Sequence, residues 1–267
     1  MKVDIEAEIA RAHREGVISD ENLPFLFEPQ QDCGEAILLV HGFCASPYEM
    51  RPLGKHLASL GFLCLGVRLA GHGTCSEDLR GRTWQEWLAS VECGYQLLAA
   101  SGRPISLLSQ STGALLGLQL ARTRQLQRCA LLSPFLKLRH PLSGLTWLLK
   151  HVLPYQHRDL AGFEKPFYYE RRPLAGIEQL GKLSRATRPL LPAIDIPALV
   201  LASEGDLVVA RGTGRKLFEG LGSRTKSFHL FGPEVPHSLS TPENPRFAEV
   251  RELVSSFFLT PDRNPAR

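Results

Sequence analysis

The sequence predicts an α/β domain built on one mostly parallel sheet with helices on both faces. Two observations carry this. From Ala36 onward, short β-rich apolar runs alternate with longer helical ones, the pattern of successive βαβ units. The chain has 267 residues, 43% of them hydrophobic and 22% charged, which suits one domain spanning 1–267 with a full core and excludes disordered, collagenous and coiled-coil chains.

The elements follow in chain order. Residues 1–22 read as an N-terminal helical extension: charges alternate up to Gly16, and Ile5 and Ile9 stand four apart as on one face of a short amphipathic helix. This stretch lacks the apolar centre of a signal peptide. Ala36–Val40 is a continuous apolar run ending at His41-Gly42, as in a strand buried on both faces. The runs 62–67, 105–108, 129–132, 198–202 and 227–231 read the same way. Ser46-Pro47-Tyr48-Glu49 has the form of a capping box, but Pro52 lies too far inside for one regular helix, so a brief turn precedes a helix over 51–60. Thr83-Trp84-Gln85-Glu86 is a second capping box, opening a helix with Trp84, Trp87, Leu88, Val91, Tyr95 and Leu98 on one face. Asn244-Pro245 supplies an N-cap and a first-turn proline for a helix to about Phe258. Residues 134–195 break the alternation with helical apolar patches, several prolines and no strand, and read as a helical insertion overhanging the ligand crevice.

Charge and cysteine usage bound the partners. The chain carries 31 Lys and Arg against 27 Asp and Glu, scattered along its length, so no nucleic-acid partner is expected. Six cysteines without a CxxC pair indicate reduced thiols. The greasiest helical stretch, 142–153, contains Lys150 and falls short of the roughly 20 apolar residues of a membrane span. A cytoplasmic location without stable membrane insertion is expected.

The chemistry centres on Ser109-Gln110-Ser111-Thr112-Gly113, between the strand 105–108 and a small-residue helix. In a sharp strand-to-helix turn of this kind a serine hydroxyl is lifted above the sheet edge, and the small flanking residues let the helix pack close. A serine needs a base to take its proton and an acid to orient that base. Asp206 follows the run 198–202 and His237 follows 227–231, so Ser111, Asp206 and His237 all stand after the carboxyl ends of predicted strands. Separately, a turn aspartate and a loop histidine are ordinary; their joint order after the serine is not. The Phe43 amide, at the exit of the first long strand, and the Thr112 amide supply candidate donors for an oxyanion hole.

Other residues read as structural. His41 and His72 belong to glycine-flanked turns, and His140, His151 and His157 lack the companions of a metal site, so no metal or other cofactor is expected. Gly212-Thr213-Gly214-Arg215-Lys216 reads as a helix start rather than a phosphate loop. Cys44 reads as packing. Trp147, with Leu145, Leu148, Leu149 and Val152, is a candidate apolar lining for an acyl chain, or equally the core of the insertion.

Four strings together resemble the bacterial carboxylesterase and monoacylglycerol lipase branch of the α/β-hydrolases: the HGF turn followed by SPYEMRPL, LAGHGT at 69–74, TWQEWL at 83–88 and EGDLVV at 204–209. The resemblance runs from about Pro24 to Phe258. It implies an α/β-hydrolase fold with a helical cap over about 134–195, Ser111 as nucleophile, Asp206 as orienting acid, His237 as base and the amides of Phe43 and Thr112 as oxyanion donors. The implied function is a serine carboxylesterase or monoacylglycerol-lipase-like hydrolase cleaving short-to-medium acyl esters of small molecules through an acyl-enzyme. Acyltransfer or thioester cleavage on the same residues, and a non-catalytic binding protein, are the alternatives. The chain departs from the pattern at Ser109, which replaces the first elbow glycine, at Cys44, where threonine is usual, and in its longer start before about Leu23.

Overall fold

The computed structural model describes residues 3–139 and 146–260. The chain opens with α1 (Glu6–Arg14), β1 (Phe25–Phe27), β2 (Ala36–Val40), α2 (Arg51–Ser59), β3 (Leu63–Val67), α3 (Ser76–Arg80) and α4 (Trp84–Ala99). β4 (Ile105–Gln110), α5 (Thr112–Ala121) and β5 (Cys129–Leu132) follow, then α6 (Thr146–Leu149), β6 (Tyr155–His157), β7 (Arg171–Pro173) and α7 (Leu174–Thr187). β8 (Ala198–Ser203), α8 (Thr213–Gly220), β9 (Lys226–Phe231) and α9 (Phe247–Leu259) complete it.

Among the described residues the main sheet has the order β1-β3-β2-β4-β5-β8-β9, parallel throughout except for the antiparallel edge strand β1. β2 to β5 are buried along their whole length because helices cover both faces, which is why β2, β3 and β5 are apolar runs and β4 keeps an apolar centre, Leu107-Leu108, among buried Ser106, Ser109 and Gln110. Successive side chains point to opposite faces. Leu38, Leu107, Leu131 and Val200 meet Trp87 of α4, Leu115 of α5 and Leu183 of α7 in one core. Ile37, Leu39, Leu108 and Leu132 meet Leu53 and Leu57 of α2 and Val250 and Val254 of α9 in the other.

β2 has β3 on one side and β4 on the other, so the chain changes direction across the sheet there and the ends of β2 and β4 diverge into a crevice. The residues that leave these two strands are His41 to Phe43 and Ser111.

Several local expectations needed correction. β1 escapes the hydropathy pattern because it is three residues between Pro24 and Pro29. The capping box at Thr83 is present, with Thr83 N–H donating to Glu86 Oε2 at 2.8 Å and Glu86 N–H to Thr83 Oγ at 3.4 Å. At Ser46 the expected brief turn forms, a 3-10 turn over Pro47–Met50 before α2, but without the capping-box bonds: Ser46 Oγ donates instead to Asn22 Oδ1 at 2.6 Å, and the Glu49 carboxylate turns toward Gly42. α9 starts at Phe247, although Asn244 Oδ1 still accepts the Arg246 N–H at 2.9 Å in the manner of a cap. The segment 134–195 contains an antiparallel pair, β6 with β7, that sequence periodicity misses because each strand is three residues long and largely polar. The residues 140–145, with His140 and Leu145, lie outside the described ones.

Candidate active site

Ser111 sits between β4 and α5 with φ 55° and ψ −111°, a left-handed conformation that costs a residue with a side chain and is held by its surroundings. Its N–H donates to Leu132 O at 2.7 Å and its carbonyl accepts from Ala114 N–H at 3.0 Å. The helix after it lies hard against β2: a Cβ on Gly113 would stand 2.4 Å from the Val40 carbonyl oxygen, so glycine is required there. Ser109 has no such restriction. It is fully buried and paired in register between Val40 and Leu131, and the turn forms with serine in this place.

The structure brings together the three side chains singled out in the sequence. Ser111 Oγ–H donates to His237 Nε2 at 2.9 Å, and His237 Nδ1–H donates to Asp206 Oδ2. Asp206 Oδ1 accepts the N–H groups of Val208 and Val209 at 2.8 and 3.0 Å, so every face of this buried carboxylate is engaged. Burial by itself raises the pKa of Asp206, but the neighbouring His237 and the two amides outweigh it and hold the group below the usual aspartate value. An ionised Asp206 fixes the imidazole tautomer with a lone pair on Nε2, ready to take the serine proton. The Asp206 and His237 loops are packed on each other. Ser203 Oγ donates to Val235 O and accepts the Gly205 N–H at 3.0 Å, and a Cβ on Gly205 would lie 2.3 Å from Pro233 O.

Phe43 and Thr112 flank Ser111 at the wall of the same cavity, and neither of their amides donates a hydrogen bond to a described group. Two free amides beside a nucleophilic oxygen can receive an alkoxide as it develops.

Three residues that sequence reasoning missed hold this arrangement. Gln110 donates from Nε2 to His237 O at 2.9 Å and accepts the Leu239 N–H on Oε1 at 3.3 Å, bracketing the histidine on both sides. Ser133 Oγ donates to the same His237 carbonyl at 2.7 Å. Glu49 accepts the Gly42 N–H on Oε2 at 2.8 Å and the Ser238 hydroxyl on Oε1 at 3.2 Å. The position of Gln110 inside the Ser111 turn and of Glu49 in SPYEMRPL were the available signals.

The cavity above Ser111 holds about 1010 Å³. Its walls come partly from the strand ends and partly from the segment 134–195, including Leu138, Leu149, Ile177 and Leu180. Trp147, expected at this wall, is not among the lining residues. It is 57% exposed, because the short helix α6 turns Thr146 and Leu149 inward and Trp147 and Leu148 outward. Val152 is exposed as well.

The remaining candidates fall into place. His41 is fully buried, with Nε2 accepting the Leu69 N–H at 3.2 Å, and burial holds it neutral, its pKa well below the usual histidine value. His72 is packed among Phe43, Trp87 and Tyr169, and burial pushes its pKa down to about 3. Burial pushes the Cys44 thiol up to about 12, so it is a packed thiol rather than a thiolate. His157 lies at the cavity rim and His151 is exposed. Gly212, with φ 72°, stands at the start of α8. Among the described residues no group of His, Cys, Asp and Glu side chains is placed to hold a metal ion, and no helix is long and apolar enough to cross a membrane.

Comparison with known proteins gives a consistent picture. A model of the alpha/beta hydrolase family matches residues 37–251. A thermostable monoacylglycerol lipase of Bacillus sp. (strain H-257) is 35% identical over 196 residues, covering 71% of this chain and 78% of that protein. A carboxylesterase of Bacillus subtilis (strain 168) is 32% identical over 101 residues, 38% of this chain and 40% of its own. Among solved structures, one from the work on the metagenome-derived lipolytic enzymes LipS and LipT superposes with a TM-score of 0.78 at 22% identity, covering 90% of this chain and 98% of that one.

Proposed function

The chain belongs to the alpha/beta hydrolase family and is a hydrolase of carboxylic esters, and on that premise we propose that Ser111, His237 and Asp206 carry the reaction through an acyl-enzyme. The observation that supports this best is the continuous relay from Ser111 Oγ through His237 to the buried Asp206.

In this reading Ser111 Oγ attacks the ester carbonyl as His237 Nε2 takes its proton, and the carbonyl oxygen becomes an alkoxide received by the Phe43 and Thr112 amides. The tetrahedral adduct collapses, the C–O bond to the alcohol breaks, and the imidazolium returns its proton to the departing alkoxide. Water then repeats the sequence on the acyl-serine, with His237 as base, and releases the carboxylic acid and the free serine. Asp206 stays ionised throughout and stabilises the imidazolium.

Residues 134–195 serve as the cap of the site, and 1–22 as an extension packed on the domain. The cap reading is supported by the apolar walls that the segment contributes to the cavity. That lining, with the named lipase and esterase relatives, supports short-to-medium acyl esters and monoacylglycerols as substrates. Six unbridged cysteines support a cytoplasmic location.

The test is active-site labelling with a fluorophosphonate, followed by mass-spectrometric mapping, beside turnover of p-nitrophenyl butyrate. Labelling at Ser111 and loss of turnover in Ser111→Ala are expected. Labelling of another serine with an active Ser111→Ala overturns the assignment.

A further inference from the structure

One wall of the ester cavity carries a charge that the apolar lining does not explain. β7 sends its side chains to alternate sides. Arg171 points outward, paired with Glu77 at 2.7 Å and stacked on the Tyr155 ring at 4.0 Å. Arg172 points the other way and lines the cavity, as does its cross-strand partner Gln156. Arg172 Nε is buried and has no hydrogen-bond partner, and no carboxylate among the described residues lies within ion-pair distance of the guanidinium. Its titratable neighbours are Arg158, of like sign, and Cys44, whose thiol is neutral.

The acids of the same cavity are committed elsewhere. Glu49 accepts from Gly42 and Ser238, Glu164 pairs with Arg158 at 3.6 Å and accepts the Ala161 N–H, and Glu243 accepts the Tyr48 hydroxyl at 3.5 Å. A half-buried guanidinium without a counter-charge is held at a cost, and it is a planar fork that matches the two oxygens of a carboxylate or a phosphate. Gln156, with no side-chain hydrogen bond to a described residue, adds an amide donor on the same face.

We propose that Arg172 and Gln156 form an anion subsite in the cavity, so that the preferred esters carry a carboxylate or phosphate group away from the bond that is cleaved. The proposal takes its reaction from the ester-cleaving assignment above, while its binding step stands apart from turnover.

Two pairs of esters test it. p-Nitrophenyl butyrate against p-nitrophenyl hemisuccinate places a carboxylate in the acyl part, and glycerol monobutyrate against butyryl glycerol 3-phosphate places a phosphate in the alcohol part. A charged hydrogen bond of the usual strength makes kcat/KM for at least one charged ester roughly tenfold or more above its neutral twin. Arg172→Gln is expected to collapse that ratio, and Arg172→Lys to keep part of it. Calorimetric titration with succinate and glycerol 3-phosphate supplies a readout independent of turnover, with binding to the wild type weakened about tenfold or more in Arg172→Gln. Which pair responds tells the acyl from the alcohol source. Ratios near one together with no anion binding overturn the subsite, as does an Arg172→Gln variant that lowers charged and neutral esters equally. Anion binding that depends on Arg172 in a protein inert toward all four esters upholds the subsite and overturns the ester-cleaving assignment instead.

Discussion

Glu49 Oε2 and the Gly42 N–H, seven residues apart, are joined by a buried 2.8 Å hydrogen bond, and the other oxygen of the same carboxylate holds Ser238, the residue after His237. One side chain therefore ties the turn that carries the Phe43 amide to the loop that carries the histidine. Burial pushes the pKa of Glu49 up, against the Gly42 amide and the nearby His237, which favour its ionised form.

Glu49→Ala is expected to leave the Gly42 N–H unpaired and both loops loosened, lowering kcat by roughly a hundredfold with a smaller effect on KM. Glu49→Gln keeps an acceptor oxygen for Gly42 and is expected to retain more of the rate. Steady-state kinetics on p-nitrophenyl butyrate separate the two; equal, wild-type-like rates in both variants sink the idea.

Ser111 stores strain at its positive φ. Ser111→Gly and Ser111→Ala both remove the hydroxyl and are expected to abolish turnover, but only glycine relieves the backbone. Ser111→Gly should therefore be more stable than Ser111→Ala by about 1 kcal/mol or more in urea denaturation. Equal midpoints would mean that the turn carries no strain.

Asp206→Asn keeps the size of the side chain but permits the wrong imidazole tautomer. The expected loss in kcat is on the order of 10⁴-fold, read on the same ester panel, while Glu204→Gln stays near wild type. The opposite outcome would move the acid to Glu204.

Acid should destabilise the fold through its buried histidines. The folded-state pKa of His72 is depressed from 6.5 to about 3, and that of His41 is depressed as well. In the unfolded chain both imidazoles take up protons near the ordinary value, and in the folded protein they do not. Their contribution is thus complete above pH 6.5 and is lost progressively as pH falls toward the folded value. Urea midpoints measured between neutral pH and pH 4 should fall, and the slope should flatten in a His72→Asn variant. A wild-type midpoint independent of pH over that window would show that neither histidine titrates differently on folding.

The sequence made legible what depends on burial of long apolar runs and on punctuation by small residues. β2, β4 and β5 are buried on both faces and read directly as strands, and Gly113 after Ser111 marked the turn because the helix touches β2 there. What stayed hidden depends on contacts far apart in the chain. Gln110 reaches residue 237 and Glu49 reaches residue 238, and neither spacing has a local pattern. Ser46-Pro47-Tyr48-Glu49 forms the brief turn expected of it, but its side-chain partners stayed hidden for the same reason: its residues satisfy the local capping rule, yet Asn22 and Gly42 offer them better partners in the folded chain. The β6–β7 pair and the outward turn of Trp147 belong to a segment whose elements are too short for periodicity to orient.

The outward Trp147 changes what controls chain-length preference. Apolar contact with an acyl chain is available at Leu149, Ile177 and Leu180, which line the cavity, and not at Trp147. Each methylene buried there is worth about 0.8 kcal/mol, so kcat/KM is expected to climb roughly fourfold per methylene from acetyl esters until the apolar wall is used up, and to fall for long-chain triacylglycerols. Trp147→Ala should leave that profile unaltered, because the side chain removed is exposed. Ile177→Trp instead adds bulk at a lining position, so its optimum should move to shorter chains while acetyl-ester turnover changes much less. Measuring the p-nitrophenyl series from acetate to laurate on the three proteins decides the matter. A Trp147→Ala variant that flattens the profile, with Ile177→Trp tracking the wild type, would place the acyl chain along the outer face of α6 rather than inside the cavity.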